Sequence, residues 1–340
     1  MRFGLVGGGR WAAVHRDALA SVGAELAAVL VSSQASAERL RGEWGVPVYT
    51  ELARFLAHDF EAAIVASPNY LHADHAVALL GAGRHVLIEK PMALDLADCD
   101  RVVTAAESAG LVAAVGLEMR FFKLFERVKH VLDDGAIGAP LHLRLDLWRR
   151  PYRAGAGGWK SDPAKVGSSI LEEPIHYLDL ARWYLTPYAG EPLRLNAWAT
   201  QRPDAPANWE NLDVQLSFGT AQALITRSIA AWGHQVRLQL VGTDGALEAT
   251  WRGDMDLDSS PDQALYLKRG HQPDAEVVRV PVPPSGHAFD VPRQTEAFLA
   301  TIRGETSQLA SAADGRASVA LCLAVEDALG SGAPVVLNRT

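Results

Sequence analysis

The sequence predicts an α/β protein in two parts: an N-terminal doubly wound parallel sheet, then a C-terminal α+β domain built on a largely antiparallel open sheet. Three observations carry this expectation. A chain of 340 residues is too long for one comfortable core. From Arg2 to about Leu117 short apolar runs alternate with longer helical patterns, and after about residue 120 period-two alternation takes over. Strands buried on both faces read as continuous apolar stretches, and helices between them imply parallel strands joined by right-handed crossovers.

Taken in order, the apolar runs are RFGLVG, ELAAVLV, AAIVAS, HVLIEK and LVAAVGL, separated by WAAVHRDALASVG, SAERLRGEWG, YLHADHAVALLGAG and ADCDRVVTAAESAG. Gly23, Gly45, Gly83 and Gly110 follow the helical patterns, where a left-handed terminating residue is favoured. A helix near LFERVKHVLDDGAIG opens the second part. Alternating segments follow, among them LHLRLDLW, LRLNAWATQ, LDVQLSF, AQALITRSIAAW, HQVRLQLVG, GALEATW, ALYLKRG and EVVRVPV, with turns such as SFGTA and GTDGA. Two helices near 290 to 304 and 312 to 329 close the chain. The domains are therefore 1–120 and 121–340. An open sheet face invites another subunit, so a homodimer or homotetramer is expected.

Composition narrows the class of function. A net charge of −8 and the absence of any basic run give no field for phosphate backbones, so no nucleic acid is expected and small molecules are the natural partners. Cys99 and Cys322 stand far apart and without metal spacing, which suggests neither a disulfide framework nor a metal site. The opening MRFGLVGGGR leaves no room for a signal peptide, and charged residues or glycines interrupt every apolar run. A cytoplasmic protein without membrane association is the expectation.

Gly7, Gly9 and Ala12 form G-x-G-x-x-A between a strand and a helical pattern. The first glycine permits the tight turn, the second lets a pyrophosphate approach the backbone, and the small third residue permits close packing of helix on strand, the Rossmann arrangement for a dinucleotide. The plain alternative is a tight turn alone. With Gly7, Gly9 and Ala12 go Arg10 and Trp11. Loops at the carboxyl ends of neighbouring strands line the same crevice: Ser67, Pro68, Asn69 and His72 from SPNYLH, then Glu89 and Lys90 from EKP. A lysine ending a buried strand needs a partner or a function, and Glu89 is one structural partner open to it. His72 and His75 are spaced i, i+3, which reads as one edge of a solvated helix rather than a metal pair. At the end of the second strand, where an NAD site usually carries an acid, the chain has Val31, Ser32 and Ser33. Serine hydroxyls with Arg39 or Arg10 suit a 2′-phosphate, so NADP is favoured over NAD; the alternative is that Ser32 and Ser33 only open the next turn and that NAD binds without a carboxylate clamp.

These pieces resemble the Gfo/Idh/MocA oxidoreductase family, the glucose-fructose oxidoreductase and inositol dehydrogenase group. The matching stretches are GLVGGGRWAAVH, SPNYLH, HVLIEKPMALD, GLEMRF, WKSDPAKVGSSILEEPIHYLDLARW and the late SAADGRASVALCLAVEDALGSGAPVVL. The resemblance implies a pyridine-nucleotide-dependent oxidation of a secondary alcohol, or reduction of the ketone, on a sugar, cyclitol or related polyol. It assigns Lys90 to the lysine of E-K-P and His176 to the histidine closing the family's D-x-G-x-H, with Glu172 at the Asp position and Pro174 at the Gly position. Glu118 replaces a more usual asparagine near the expected nicotinamide. A cis peptide between Lys90 and Pro91 is also implied. Two other functions stay open: a cofactor-retaining glycosidase working by transient oxidation, and a non-catalytic nucleotide-binding sensor.

Residues 169–179, SILEEPIHYLD, crowd Glu172, Glu173, Pro174 and His176 into the start of an amphipathic helix. Ser169 and Glu172 have capping-box spacing that starts a helix at Ile170; the alternative starts it at Pro174. A helix N-terminus disfavours imidazolium, which keeps a neutral base available for a hydroxyl proton. His176 is thus the candidate acid/base, Lys90 polarises the same oxygen, and Glu172 orients the pair. The plain alternatives are a packed helix histidine and a carboxylate that caps its helix. Arg149, Tyr152, Trp159 and Lys160, in and around the loop WRRPYRAGAGGWKSDP, join Glu173 and His176 as candidate substrate contacts, because aromatic faces stack on sugar rings and cations bond hydroxyls or a carboxylate. An ordered loop anchored by Trp159 is the alternative.

Overall fold

The computed structural model describes residues 1–150, 162–201, 209–254, 258–284 and 286–337. The described residues of the chain form two compact units: those within Met1–Glu118, Ala154–Gly167 and Val291–Ala320 make the first, and those within Met119–Arg153, Ser168–Asp290 and Leu321–Thr340 the second.

The first unit begins β1 (Arg2–Val6), α1 (Arg10–Ser21), β2 (Glu25–Leu30), α2 (Gln34–Trp44), β3 (Val48–Tyr49), α3 (Leu52–Leu56), β4 (Ala62–Val65), α4 (His72–Gly81), β5 (His85–Glu89), α5 (Leu96–Ala109), β6 (Ala113–Gly116). Its sheet runs β6-β5-β4-β1-β2-β3, all parallel, with the two-residue strand Ala310–Ser311 antiparallel on the outer edge of β6. The order reverses at β1, so the loops leaving β1, β4 and β5 are neighbours at the carboxyl edge. Every residue of β4 is buried, as its unbroken apolar run requires. Phe3, Leu5, Val29, Ile64 and Leu87 form the sheet's part of the core, and Ala12, Leu19, Leu40 and Phe298 face them. Burying side chains of this size contributes about 1.5–3 kcal/mol each. Gly45 and Gly110 close α2 and α5 with φ of 67° and 64°, conformations that cost a β-carbon dearly.

The chain continues with α6 (Lys123–Asp133), β7 (Pro140–Trp148), a short α7 (Pro163–Val166) belonging to the first unit, α8 (Ser169–Glu172) and α9 (Pro174–Ala189). Next come β8 (Arg194–Gln201), β9 (Trp209–Ser217), β10 (Gln222–Ser228), β11 (His234–Gly242), β12 (Gly245–Gly253), β13 (Asp262–Arg269) and β14 (Val277–Val280). The helix α10 (Val291–Ile302) and β15 (Ala310–Ser311) return to the first unit, and α11 (Ala312–Ser331) and β16 (Val335–Val336) end the elements. The second sheet is ordered β14-β13-β12-β11-β7-β10-β9-β8-β16, antiparallel except where β7 meets β10. Alternation divides its faces: Leu143, Leu145, Leu147, Val214, Leu216, Leu238 and Leu240 are buried on the side that α6 and α9 cover. The other side presents Trp148, Trp198 and Tyr266, all exposed in this chain, between the ion pairs Arg144–Asp146 and Arg237–Glu248.

Helix α9 is held on its buried side by polar as well as apolar contacts. Arg120 donates from Nε and Nη2 to the two oxygens of Asp179 at 2.8 and 2.6 Å, a fork-to-fork pair with both partners buried. The Tyr184 hydroxyl donates to the carbonyl of Phe125 at 2.9 Å.

Candidate active site

The turn after β1 needs its glycines for different reasons. Gly7 has φ of +119°, and a β-carbon there would lie 2.4 Å from the carbonyl oxygen of Ala66. At Gly8, which G-x-G-x-x-A leaves as an x position, a β-carbon would meet the side chains of Leu40 at 2.8 Å and Val31 at 2.9 Å, so a larger residue there has to displace them. Gly9 faces open space, with nothing within 4 Å of a β-carbon. It is the N-cap of α1, which has no side-chain cap and no acid in its first turn. Free space before an uncapped helix start, bare of competing negative charge, fits the pyrophosphate of a dinucleotide. Arg10 is exposed, Trp11 half-buried and Ala12 fully buried against the sheet.

Beyond β2, Ser32 is exposed and Ser33 caps α2, accepting from the backbone N–H of Ser36 at 3.2 Å. Arg39 donates to Glu43 at 2.8 Å and reaches the Gly8 carbonyl at 3.4 Å, so its guanidinium rests beside the glycine turn. No carboxylate stands at the end of β2.

The loops after β4 and β5 are tied together by one buried imidazole. His72 is enclosed, and its Nδ1 and Nε2 each lie 2.7 Å from a carbonyl oxygen, those of Pro91 and Ser67. It is no solvated helix edge, as its spacing with His75 suggested: it falls on the same face as Ala76, Leu79 and Leu80, which is buried. A neutral ring can donate to only one of the two oxygens; burial nonetheless pulls its pKa below the usual histidine value, against the pull of the two carbonyls and Glu89. The Ser67 hydroxyl meets His75 Nδ1 at 3.0 Å, Pro68 precedes a 3-10 turn, and buried Asn69 donates to the carbonyl of Val166 at 3.0 Å. Among the cofactor candidates, His72 therefore has both ring nitrogens, and Asn69 its side-chain nitrogen, engaged by the protein.

Glu89 is buried at the end of β5, and its Oε1 lies 2.7 Å from Nε2 of His15, a residue of α1 that the sequence reading passed over. Burial alone would raise the Glu89 pKa. The hydrogen bond from His15 and the nearby Lys90 charge outweigh it and hold the carboxyl below its usual range. Lys90 follows, half-buried, with a cis peptide to Pro91. Glu118 is buried in the 3-10 turn Glu118–Phe121 after β6.

In the second unit the opening of SILEEPIHYLD resolves into two helices. Ser168, not Ser169, is the cap of α8, its hydroxyl accepting from Ile170 and Leu171 at 3.2 and 3.3 Å. The chain then breaks at Glu173 (φ −140°, ψ −45°), and α9 starts with Pro174 in its first turn, where a missing N–H costs nothing. Glu172 thus ends one helix and His176, buried, lies in the first turn of the next. Glu173 is buried and accepts from Nη1 of Arg149 at 2.5 Å. Burial would raise its pKa, but Arg149, Arg227 and His234 prevail and keep the carboxyl below its usual range. Arg227, also buried, donates to the backbone carbonyls of Ser169 and Trp209. Arg149 and Glu173 thereby engage one another. Tyr152, Trp159 and Lys160 lie outside the described residues. Among the described residues no cluster of His, Cys, Asp and Glu could hold a metal ion, and no helix is long and apolar enough to cross a membrane.

Residues 1–117 match a family model described as "Oxidoreductase family, NAD-binding Rossmann fold", and residues 125–248 match the "GFO/IDH/MocA C-terminal domain". The chain is 28% identical over 335 residues to inositol 2-dehydrogenase of Rhizobium meliloti (strain 1021), covering 94% of each protein. It is 34% identical over 254 residues to inositol 2-dehydrogenase of Streptomyces avermitilis, covering 72% of this chain and 70% of that one. The crystal structure of the WlbA dehydrogenase from Bordetella pertussis, in complex with NADH and UDP-GlcNAcA, shares the fold with a TM-score of 0.81 at 21% identity, over 100% of this chain and 99% of that one. With both of its domains matched by the family's models and a relative aligned along nearly its whole length, the chain belongs to the Gfo/Idh/MocA family of oxidoreductases with an NAD(P)-binding Rossmann domain.

Proposed function

We propose that the protein interconverts a secondary alcohol and a ketone on a sugar, cyclitol or related polyol, using NADP in preference to NAD. The observation that carries this reading is the open, uncapped start of α1 at Gly9 on the same sheet edge as Lys90. Relatives named inositol 2-dehydrogenase support the substrate class. Residues 1–120 bind the dinucleotide, and residues 121–340 bind substrate and associate into a homodimer or homotetramer through the open sheet face. Buried, free Cys99 and Cys322 suit the reducing cytoplasm.

The nicotinamide, when bound, supplies the hydride acceptor for oxidation and the donor for reduction. His176, in the first turn of α9, takes the hydroxyl proton in one direction and returns it in the other. Lys90 hydrogen-bonds the same oxygen as negative charge develops on it, and Glu172 orients the pair. The 2′-phosphate preference rests on Ser32 and Ser33 at the end of β2, on the guanidinium of Arg39 beside Gly8, and on the missing carboxylate.

The test is a panel of sugars and cyclitols assayed by nicotinamide absorbance with both cofactors. Turnover with at least one member is expected, with NADP giving the higher kcat/KM, and Ser32→Asp shifting preference toward NAD. His176→Ala is expected to lower turnover by about two to four orders of magnitude with cofactor affinity little changed. Unaltered turnover in that variant would remove His176 from the reaction, and a tenfold advantage for NAD would reverse the cofactor assignment.

A further inference from the structure

The mechanism above uses Lys90 but gives no work to the two buried groups nearest it along the fold, Glu89 and His15. A histidine is an odd choice for the inner face of α1, where its neighbours in the core are Ala12, Ala18 and Leu19. Its ring is wholly enclosed, and its Nδ1 has no hydrogen-bond partner among the described residues. The state that costs least is therefore the neutral ring with its proton on Nε2, donated to an ionised Glu89 at 2.7 Å, which leaves only a lone pair unmet. Two apolar side chains would fill this space with no orphaned nitrogen, and such replacements of buried ion pairs are often neutral or stabilising. What they could not supply is a negative charge at the strand end that carries the lysine.

The surroundings are shaped for that charge. Gly116, at the end of the neighbouring strand β6, leaves room for it: a β-carbon there would lie 3.2 Å from Glu89 Oε1. The other carboxylate oxygen faces the backbone N–H of Lys90 at 3.3 Å. On the far side of the lysine, His72 grips the carbonyl of Pro91. Lys90 is thus flanked in sequence by two residues, each gripped by a buried histidine, one from α1 and one from α4.

We propose that His15 is a positioning residue for Lys90: by holding the Glu89 carboxylate ionised at the end of β5, it couples the helix that starts at the glycine turn to the charge and placement of the lysine. This rests on the reading of Lys90 as the group that polarises the substrate oxygen. The titratable groups bearing on Glu89 are His15 from α1, His72 from α4 and Lys90 itself, and burial works against all of them by favouring the protonated carboxyl. Without the His15 donor, burial prevails and Glu89 takes up a proton. Lys90 then loses a neighbouring negative charge, so its own proton is released at lower pH.

The experiment needs no substrate. Lysines of the apo chain are reductively methylated with 13C-formaldehyde, the Lys90 signal is assigned with Lys90→Arg, and its titration is followed by NMR. In His15→Leu the Lys90 midpoint is expected to fall by about one pH unit. His15→Gln, whose amide nitrogen can occupy the place of Nε2, is expected to restore at least half of that shift. An unchanged midpoint in a folded His15→Leu, or equal shifts in the Leu and Gln variants, overturns the proposal. Should His15→Leu fail to fold, Gly116→Ala crowds the same carboxylate from β6, and a Lys90 midpoint that it leaves unmoved overturns the proposal equally. Turnover separates this idea from the one beneath it. With the best substrate of the panel, Lys90→Ala retaining full kcat ends the catalytic reading of the lysine, whereas a Lys90→Ala loss combined with a wild-type Lys90 titration in His15→Leu ends only the role of His15.

Discussion

Arg149 and Glu173 meet with both partners largely out of water, so each is costly without the other. Glu173 has a native pKa below its usual value, which means that the unfolded chain binds its proton more readily than the native one. Its contribution is complete above about pH 4.3 and drains away as the pH falls from there through the native pKa. Glu173→Gln is accordingly expected to unfold at lower urea concentration than the parent at pH 7, with the gap narrowing as the pH falls below about 4.3; a gap independent of pH would assign the loss to packing. The sequence offered Glu173 and Arg149 as substrate contacts, and it could not show their mutual pairing, because it displays residue types and not partners. His15 and His72 teach the same lesson from the other side. Each occupies the inner face of its helix, beside Ala12 and Leu19 in one case and Ala76 and Leu79 in the other. That periodicity was available in the sequence, but a histidine is read by default as chemistry or as surface.

At the scale of the element, the turn between β1 and α1 separates two kinds of glycine. Gly7→Ala drives a β-carbon into the backbone at Ala66 in a conformation that L residues rarely adopt, whereas Gly9 has an ordinary extended φ of −86° and empty space ahead of it. Gly7→Ala is therefore expected to lower the Tm of the apo protein markedly. Gly9→Ala should leave that Tm within a few degrees of the parent yet weaken dinucleotide binding about tenfold or more, read by calorimetric titration. Equal losses of Tm in both variants would contradict the distinction. Long periodic elements were legible in order and kind: five strands, four helices and their glycine stops in the first unit, and the alternating strands of the second. The pieces that were not legible are short. β3 and β15 have two residues each, too few to express a period, and α8 exists only because Ser168 caps a single turn before the chain breaks at Glu173. Gly8 was missed because the motif leaves it unspecified, and its tight surroundings come from Val31 and Leu40, far away in sequence.

For the whole molecule, the open face of the second sheet sets the expected assembly. Trp148 and Trp198 project from it with nearly half and most of their surface in water, respectively, amid paired charges. Light scattering at micromolar concentration is expected to give a dimer or tetramer, and Trp148→Lys with Trp198→Lys to reduce it; a parent that runs as a monomer would refute the association. The first unit carries a different consequence, because its residues are drawn from three separated stretches of chain. Phe298, from α10, lies edge-on to Phe3 at 6.2 Å within the core, and β15 borders β6. A ribosome working from the amino end at about 5–20 residues per second makes β1 first and the parts that finish its core last. The glycine turn and the lysine strand emerge early, but the sheet that holds them waits, with its edge and part of its apolar face uncovered, for most of the time the chain takes to be made. Chaperone dependence of this protein should accordingly be concentrated in the interval before residue 311 leaves the exit tunnel.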